Sequence, residues 1–198
     1  MVERRDLPLF AWGEALRAAR LRRRTLTRRA ALVGLGCACL AATLIAPPLP
    51  RLVWNASASA PIGLYRIAPG AALARGDMVV ARPPLAVRGL AARRRYLPAN
   101  VPLVKRVVGV PGDRVCAVGA TITVNGQPLA TRRMSDRLGR PLPWWRGCRT
   151  LRDGTLFLLM AEASDSFDGR YFGPSDPRDI IGKATALWVT PTKHAGRD

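Results

Sequence analysis

The chain has 198 residues, 48% of them hydrophobic, and a formal net charge of +19 in which arginine supplies 29 of the 32 basic side chains. That length holds one domain with a real core plus a short appendage, and the arginine bias accounts for most of the charge without nucleic acid as a partner. A single histidine, His194, leaves almost no material for a Ser-His-Asp triad, and four cysteines without CxxC spacing argue against a structural zinc site.

Residues 1–29 carry nine arginines against three acidic residues, and 7–24 (LPLFAWGEALRAARLRRR) sets apolar residues at helical spacing within them. An amphipathic helix on anionic headgroups and a disordered basic arm both fit this stretch. Residues 30–46 then run without a charge up to Pro47, Pro48 and Pro50, a length near the lower limit for crossing a hydrocarbon core. The arginine block just before the run favours a membrane span over a buried core helix, because flanking positive charge orients such spans with that side inside. The organisation expected is a basic cytoplasmic arm over 1–29, a transmembrane signal-anchor over 30–50 and an extracytoplasmic domain over 51–198. Trp54 suits the interface beyond the span. Thr27-Arg28-Arg29 looks faintly like a twin-arginine signal, and 55–60 (NASASA) offers small residues of the cleavage-site type. An uncleaved anchor is preferred, since cleavage there would remove a serine singled out below.

From residue 77 the pattern is extended. Runs at 77–82, 103–109, 114–118, 121–124, 155–160 and 180–190 read as strands, punctuated by Gly, Pro and Asp, and Asn125-Gly126 signals a two-residue hairpin. The stretch 84–95 permits one short helix. The fold class is therefore mostly β, a small β-domain behind a single N-terminal transmembrane helix. An extracytoplasmic body allows a Cys116–Cys148 disulfide; two independent thiols are the alternative. Trp144 and Trp145, beside Leu142 and Pro143, either dock the domain on the bilayer or belong to its core.

Three segments carry candidate chemistry. In 101–113 (VPLVKRVVGVPGD), strand alternation puts Leu103, Lys105 and Val107 on one face and Arg106 on the other. Arginine keeps its proton in proteins, whereas a desolvated lysine can lose it. A lysine on an apolar strand face, in a chain that otherwise uses arginine, is thus a candidate base, against the simpler reading of a snorkelling side chain. Being mostly neutral at pH 7 requires a drop of about 3 units, roughly 4 kcal/mol, which burial can supply. In 55–65 (NASASAPIGLY), Ser59 ahead of Pro61 and Gly63 suggests a rigid turn presenting a hydroxyl, or else a small-residue linker. In 164–174 (SDSFDGRYFGP), Asp168 and Arg170 can pair and Ser166 can hydrogen-bond within the loop.

In this order the three segments resemble the type I signal peptidases, most closely their TraF-type conjugative-transfer branch, from the apolar segment to about Trp188 and including 139–145 (GRPLPWW). The resemblance implies that Ser59 is the nucleophile and Lys105 the general base of a Ser/Lys dyad. It further implies that Ser57 completes an oxyanion hole with the Ser59 N–H, that Ser166 orients the lysine amine, and that Asp168 and Arg170 form a supporting ion pair. No cofactor or metal is implied. Two departures separate the chain from the housekeeping enzymes: Ser59-Ala60-Pro61 is one residue shorter than their serine-methionine-x-proline, and Ala161-Glu-Ala-Ser stands where they have glycine-aspartate-asparagine-arginine. Both point to the TraF-type branch. The expected function is a periplasm-facing serine endopeptidase of the inner membrane that matures an exported precursor, first of all a conjugative pilin, with or without cyclisation. A general signal peptidase and a non-catalytic pilus or secretion scaffold are the alternatives. The partners implied are the precursor substrate, the lipid bilayer and other components of the conjugative or secretion apparatus.

Overall fold

The structure is a computed structural model that describes residues 8–45 and 50–190; Pro47, Pro48, Lys193 and His194 lie outside those residues. The chain divides into two units, a helix and everything that follows it.

The first unit is α1 (Pro8–Ile45), 38 residues without a break. The two segments read separately from the sequence, 7–24 and 30–46, thus belong to one helix as far as each is described. Pro8 opens it at the position where a missing N–H costs nothing, and the Ala, Leu and Arg that dominate it are strong helix formers. Thr25, Thr27 and Thr43 return their hydroxyls to carbonyls three or four residues back, so their polar groups are satisfied inside the helix. The stretch Trp12–Ile45 is long and apolar enough to cross a membrane.

The second unit runs β1 (Leu52–Asn55), β2 (Gly63–Ala68), β3 (Met78–Ala81), α2 (Leu85–Arg93), β4 (Leu103–Gly109), β5 (Arg114–Val118), β6 (Thr121–Val124), β7 (Gln127–Thr131), β8 (Gly147–Thr150), β9 (Phe157–Leu159), α3 (Gly169–Phe172) and β10 (Ile180–Val189). Two antiparallel sheets result, one of order β1-β2-β10-β3-β4-β9 and one of order β7-β6-β5-β8. The expected mostly-β domain is what forms. Strands over 103–109, 114–118 and 121–124 fall where expected, and Asn125 and Gly126, both at positive φ, make the hairpin turn from β6 into β7. β1, β2, β7 and β8 were not foreseen from the sequence.

β9 joins the two sheets. Its Phe157 and Leu159 pack with Val115, Ala117, Ile122 and Val124 of the smaller sheet, while Leu158 packs with Val79, Ala81 and Val107 of the larger. Each such buried side chain stabilises the fold by about 2 kcal/mol. Trp145 belongs to this core: it meets Phe157 edge-on at 6.2 Å and donates its indole N–H to Gly169 O. Trp144 lies under the Arg132 guanidinium at 4.2 Å and donates to Arg133 O. The exposed aromatic pair lies elsewhere, at Trp54 of β1 and Trp188 of β10, with ring centroids 5.6 Å apart.

Candidate active site

The β1–β2 hairpin holds Ser59 in its loop, closed where Asn55 pairs with Gly63. One side chain shapes that loop. The buried Asn55 amide lies 3.0–3.1 Å from the carbonyl oxygens of Ser57, Ala60 and Pro61, and its oxygen accepts the Ser57 N–H. Tyr65 adds a bond from its hydroxyl to Pro61 O at 2.8 Å. A short polar side chain standing in for backbone groups is the usual asparagine role in turns, here satisfying nearly a whole loop at once. Ala60 is buried beneath, and Ser57 and Ser59 face outward with hydroxyl oxygens 2.9 Å apart.

Across the cleft, β4 carries Lys105 opposite Val79 of β3. The strand buries Lys105 and exposes Arg106, the two consecutive side chains taking opposite faces. Lys105 is 2% exposed. Its Nζ lies 2.7 Å from Ser59 Oγ and 2.8 Å from Ser166 Oγ. Burial pushes the amine down from its ordinary value near 10.5 to about 8; the Asp168 charge opposes the drop and Arg170 adds to it. Roughly a tenth of the lysine is then neutral at pH 7, by the ordinary titration relation.

Ser166 comes from the loop between β9 and α3, and that loop is built on a buried ion pair. Asp168 caps α3 by accepting the Arg170 N–H, pairs with Arg170 Nε at 2.8 Å, and accepts the Met160 N–H. Arg170 also donates to the carbonyls of Met160 and Ser164. Neither side chain is more than 1% exposed. A buried pair of this kind persists because its remaining valences are satisfied, and the backbone so fixed carries Ser166 to the lysine. Gly169 lets α3 lie against β9, since a Cβ there would meet Leu158 O at 2.6 Å.

Ser57, Ser59, Lys105 and Ser166 therefore line one cleft of about 440 Å³, walled by apolar side chains including Leu103 and Leu142. Asp168 and Arg170 support it from beneath, outside its lining. Cys116 and Cys148 sit apart, directly opposite each other on β5 and β8 and joined by a disulfide. Asn55 and Tyr65 were not singled out as site residues from the sequence; the one local signal was an asparagine preceding a run of small residues. Chemically, a desolvated amine bonded to a hydroxyl is an arrangement that can take the hydroxyl's proton and so turn it into a nucleophile.

The sequence profile described as "Signal peptidase, peptidase S26" matches residues 24–189. The plasmid transfer protein TraF of Escherichia coli is 35% identical over 136 residues, 64% of this chain and 76% of that protein. The probable conjugal transfer protein TraF of Sinorhizobium fredii is 36% identical over 143 residues, 66% of this chain and 73% of that protein. Signal peptidase I of Leptolyngbya laminosa is 27% identical over 110 residues, 56% of this chain and 50% of that protein.

Proposed function

The chain belongs to the S26 signal peptidases, a family of serine endopeptidases, and on that premise we propose that it is a membrane-anchored Ser/Lys-dyad enzyme that matures an exported precursor in conjugation, first of all a pilin. The observation that carries the reading is the buried Lys105 amine 2.7 Å from the Ser59 hydroxyl. The similarity to TraF proteins named for conjugal and plasmid transfer supports the conjugative setting.

Neutral Lys105 takes the Ser59 proton as Oγ attacks the scissile carbonyl. The Ser59 N–H and the Ser57 hydroxyl stabilise the oxyanion, each such donor being worth about 3 kcal/mol. Lys105 returns the proton to the leaving amine as the C–N bond breaks, leaving an ester on Ser59. A water that Lys105 deprotonates, or the amine of a second chain end, then attacks the ester and frees the serine. Ser166 holds the lysine amine against Ser59 throughout, and Asp168 with Arg170 holds Ser166.

In this reading α1 is the anchor, its basic part inside the cell and residues 51–198 on the periplasmic face of the inner membrane. The arginines ahead of the apolar run, a disulfide suited to an oxidising compartment, and the exposed Trp54, which follows α1 closely in sequence and pairs with the exposed Trp188 of β10, support this placement. The test is mass spectrometry of a candidate pilin precursor co-expressed with this chain. Trimming that disappears with Ser59→Ala supports the proposal, and a further loss of one water marks ring closure. Trimming that persists in the Ser59→Ala strain, with no other such peptidase present, refutes it.

A further inference from the structure

We infer that the cleft contains an anionic subsite in which Arg133 recognises a carboxylate side chain of the substrate a few residues from the scissile bond. The inference rests on the peptidase reading of the cleft and adds a substrate class to it. Besides Lys105, three cationic side chains line the cleft, Arg133, Arg137 and Arg140, with two acids, Asp136 and Asp165. Arg140 Nε is 2.7 Å from Asp136 Oδ2, and Arg137 pairs with Asp165. Both acids are thereby used.

Arg133 is different. Among the described residues its guanidinium meets one side chain, the neutral Ser164 hydroxyl at 3.3 Å, and pairs with no carboxylate. Its backbone, by contrast, is pinned on both sides: the N–H donates to the Tyr171 hydroxyl at 3.1 Å, and the carbonyl accepts the Trp144 indole N–H at 3.0 Å. A fixed root thus presents a charged fork with most of its five N–H donors unspent. Ser164 precedes by two residues the Ser166 that touches Lys105, and two residues span at most about 7 Å. The guanidinium therefore stands within a few residues of extended peptide from Ser59. With Arg137 and Arg140 neutralised by their partners, Arg133 leaves the cleft net positive beside apolar walls at Leu138 and Leu142. A planar fork in that setting fits a carboxylate through two parallel hydrogen bonds.

The test uses the full chain in detergent micelles and internally quenched peptides with small residues around the scissile bond. A single Glu is walked through the flanking positions, each peptide matched by its Gln counterpart. At one position kcat/KM for the Glu peptide is expected to exceed that for the Gln peptide by about five- to tenfold, a charge-assisted bond replacing a neutral one. The advantage should shrink as salt rises, and Arg133→Gln should bring the Glu/Gln ratio to about one. A wild-type ratio near one at every position overturns the subsite, as does a ratio that survives Arg133→Gln. Should Arg133→Gln fold poorly, the wild-type Glu/Gln profile and its salt dependence still decide. Ser59-dependent cleavage of the Gln peptides reads the peptidase assignment separately: cleavage without a Glu preference sinks the subsite alone, and no Ser59-dependent cleavage of any peptide overturns both.

Discussion

Lys105 and Arg106 are consecutive in β4, yet the lysine amine is enclosed between two serine hydroxyls while the arginine lies in solvent. The pleat of one strand separates a titratable base from a permanent charge. Because burial holds Lys105 at about 8, kcat/KM should rise with pH through about 8 and level off above it, as the neutral amine becomes the dominant form.

Stability should follow the same group. Below about 8 both folded and unfolded chains carry the Lys105 proton; between about 8 and 10.5 the unfolded chain binds more, so this contribution to stability climbs with pH, and it flattens above. The depression corresponds to about 3 kcal/mol of destabilisation at neutral pH. Lys105→Met should therefore abolish activity, leave the fold at least as stable at pH 7, and lose the climb between pH 8 and 10.5. Urea midpoints at pH 7, 9 and 10 check this.

Arg170→Ala should cost about 3–5 kcal/mol, because it leaves the Asp168 carboxylate buried without its partner. That is a large part of a typical domain's stability. Replacing both members, Asp168→Leu with Arg170→Met, should cost less than Arg170→Ala alone. Urea unfolding of the two variants beside the parent protein measures the difference, and a double variant weaker than the single one would contradict the ion-pair account.

Asn55→Asp keeps the side-chain shape and the acceptor for Ser57 N–H but loses the donors to three carbonyls. The loop should shift, and with it Ser59, by enough to lower kcat about tenfold to a hundredfold. KM should change little, since the cleft walls stay in place. Steady-state kinetics on one peptide separates the two effects.

The Cys116–Cys148 link closes a loop of 32 residues in sequence separation, and constraint of that size is worth about 3–4 kcal/mol. Reductant or Cys148→Ser should lower the melting temperature accordingly. In membranes isolated without reductant, Cys37 and Cys39 should be the thiols that alkylate, with Cys116 and Cys148 joining only after reduction.

What the sequence made legible was whatever had a local cause. β4 is an apolar, strand-like run with one lysine, and its ends were readable, as was the Asn125-Gly126 turn. β1 is a four-residue edge strand that, among the described residues, pairs with β2 alone, and the small residues after it read equally as linker. β7 contains Pro128, which argues against a strand except at an edge, and an edge is where it lies. β8 has no alternation because all four residues are exposed. The role of Asn55 depends on the hairpin bending back on itself, a long-range outcome no short window of residues contains. Likewise Arg133 stands out only once Arg137 and Arg140 are seen to be paired.

In the proposed reaction Ser59 forms an ester with Lys105 as its base. Treating the full-length protein with a peptide-based serine-acylating probe, then digesting it and sequencing the labelled peptide by mass spectrometry, reads that step directly. Label on Ser59 that forms faster as pH rises through about 8, vanishes in Ser59→Ala and falls at least a hundredfold in Lys105→Met is the expected result. Label on another residue, or undiminished labelling of Ser59 in Lys105→Met, would contradict it.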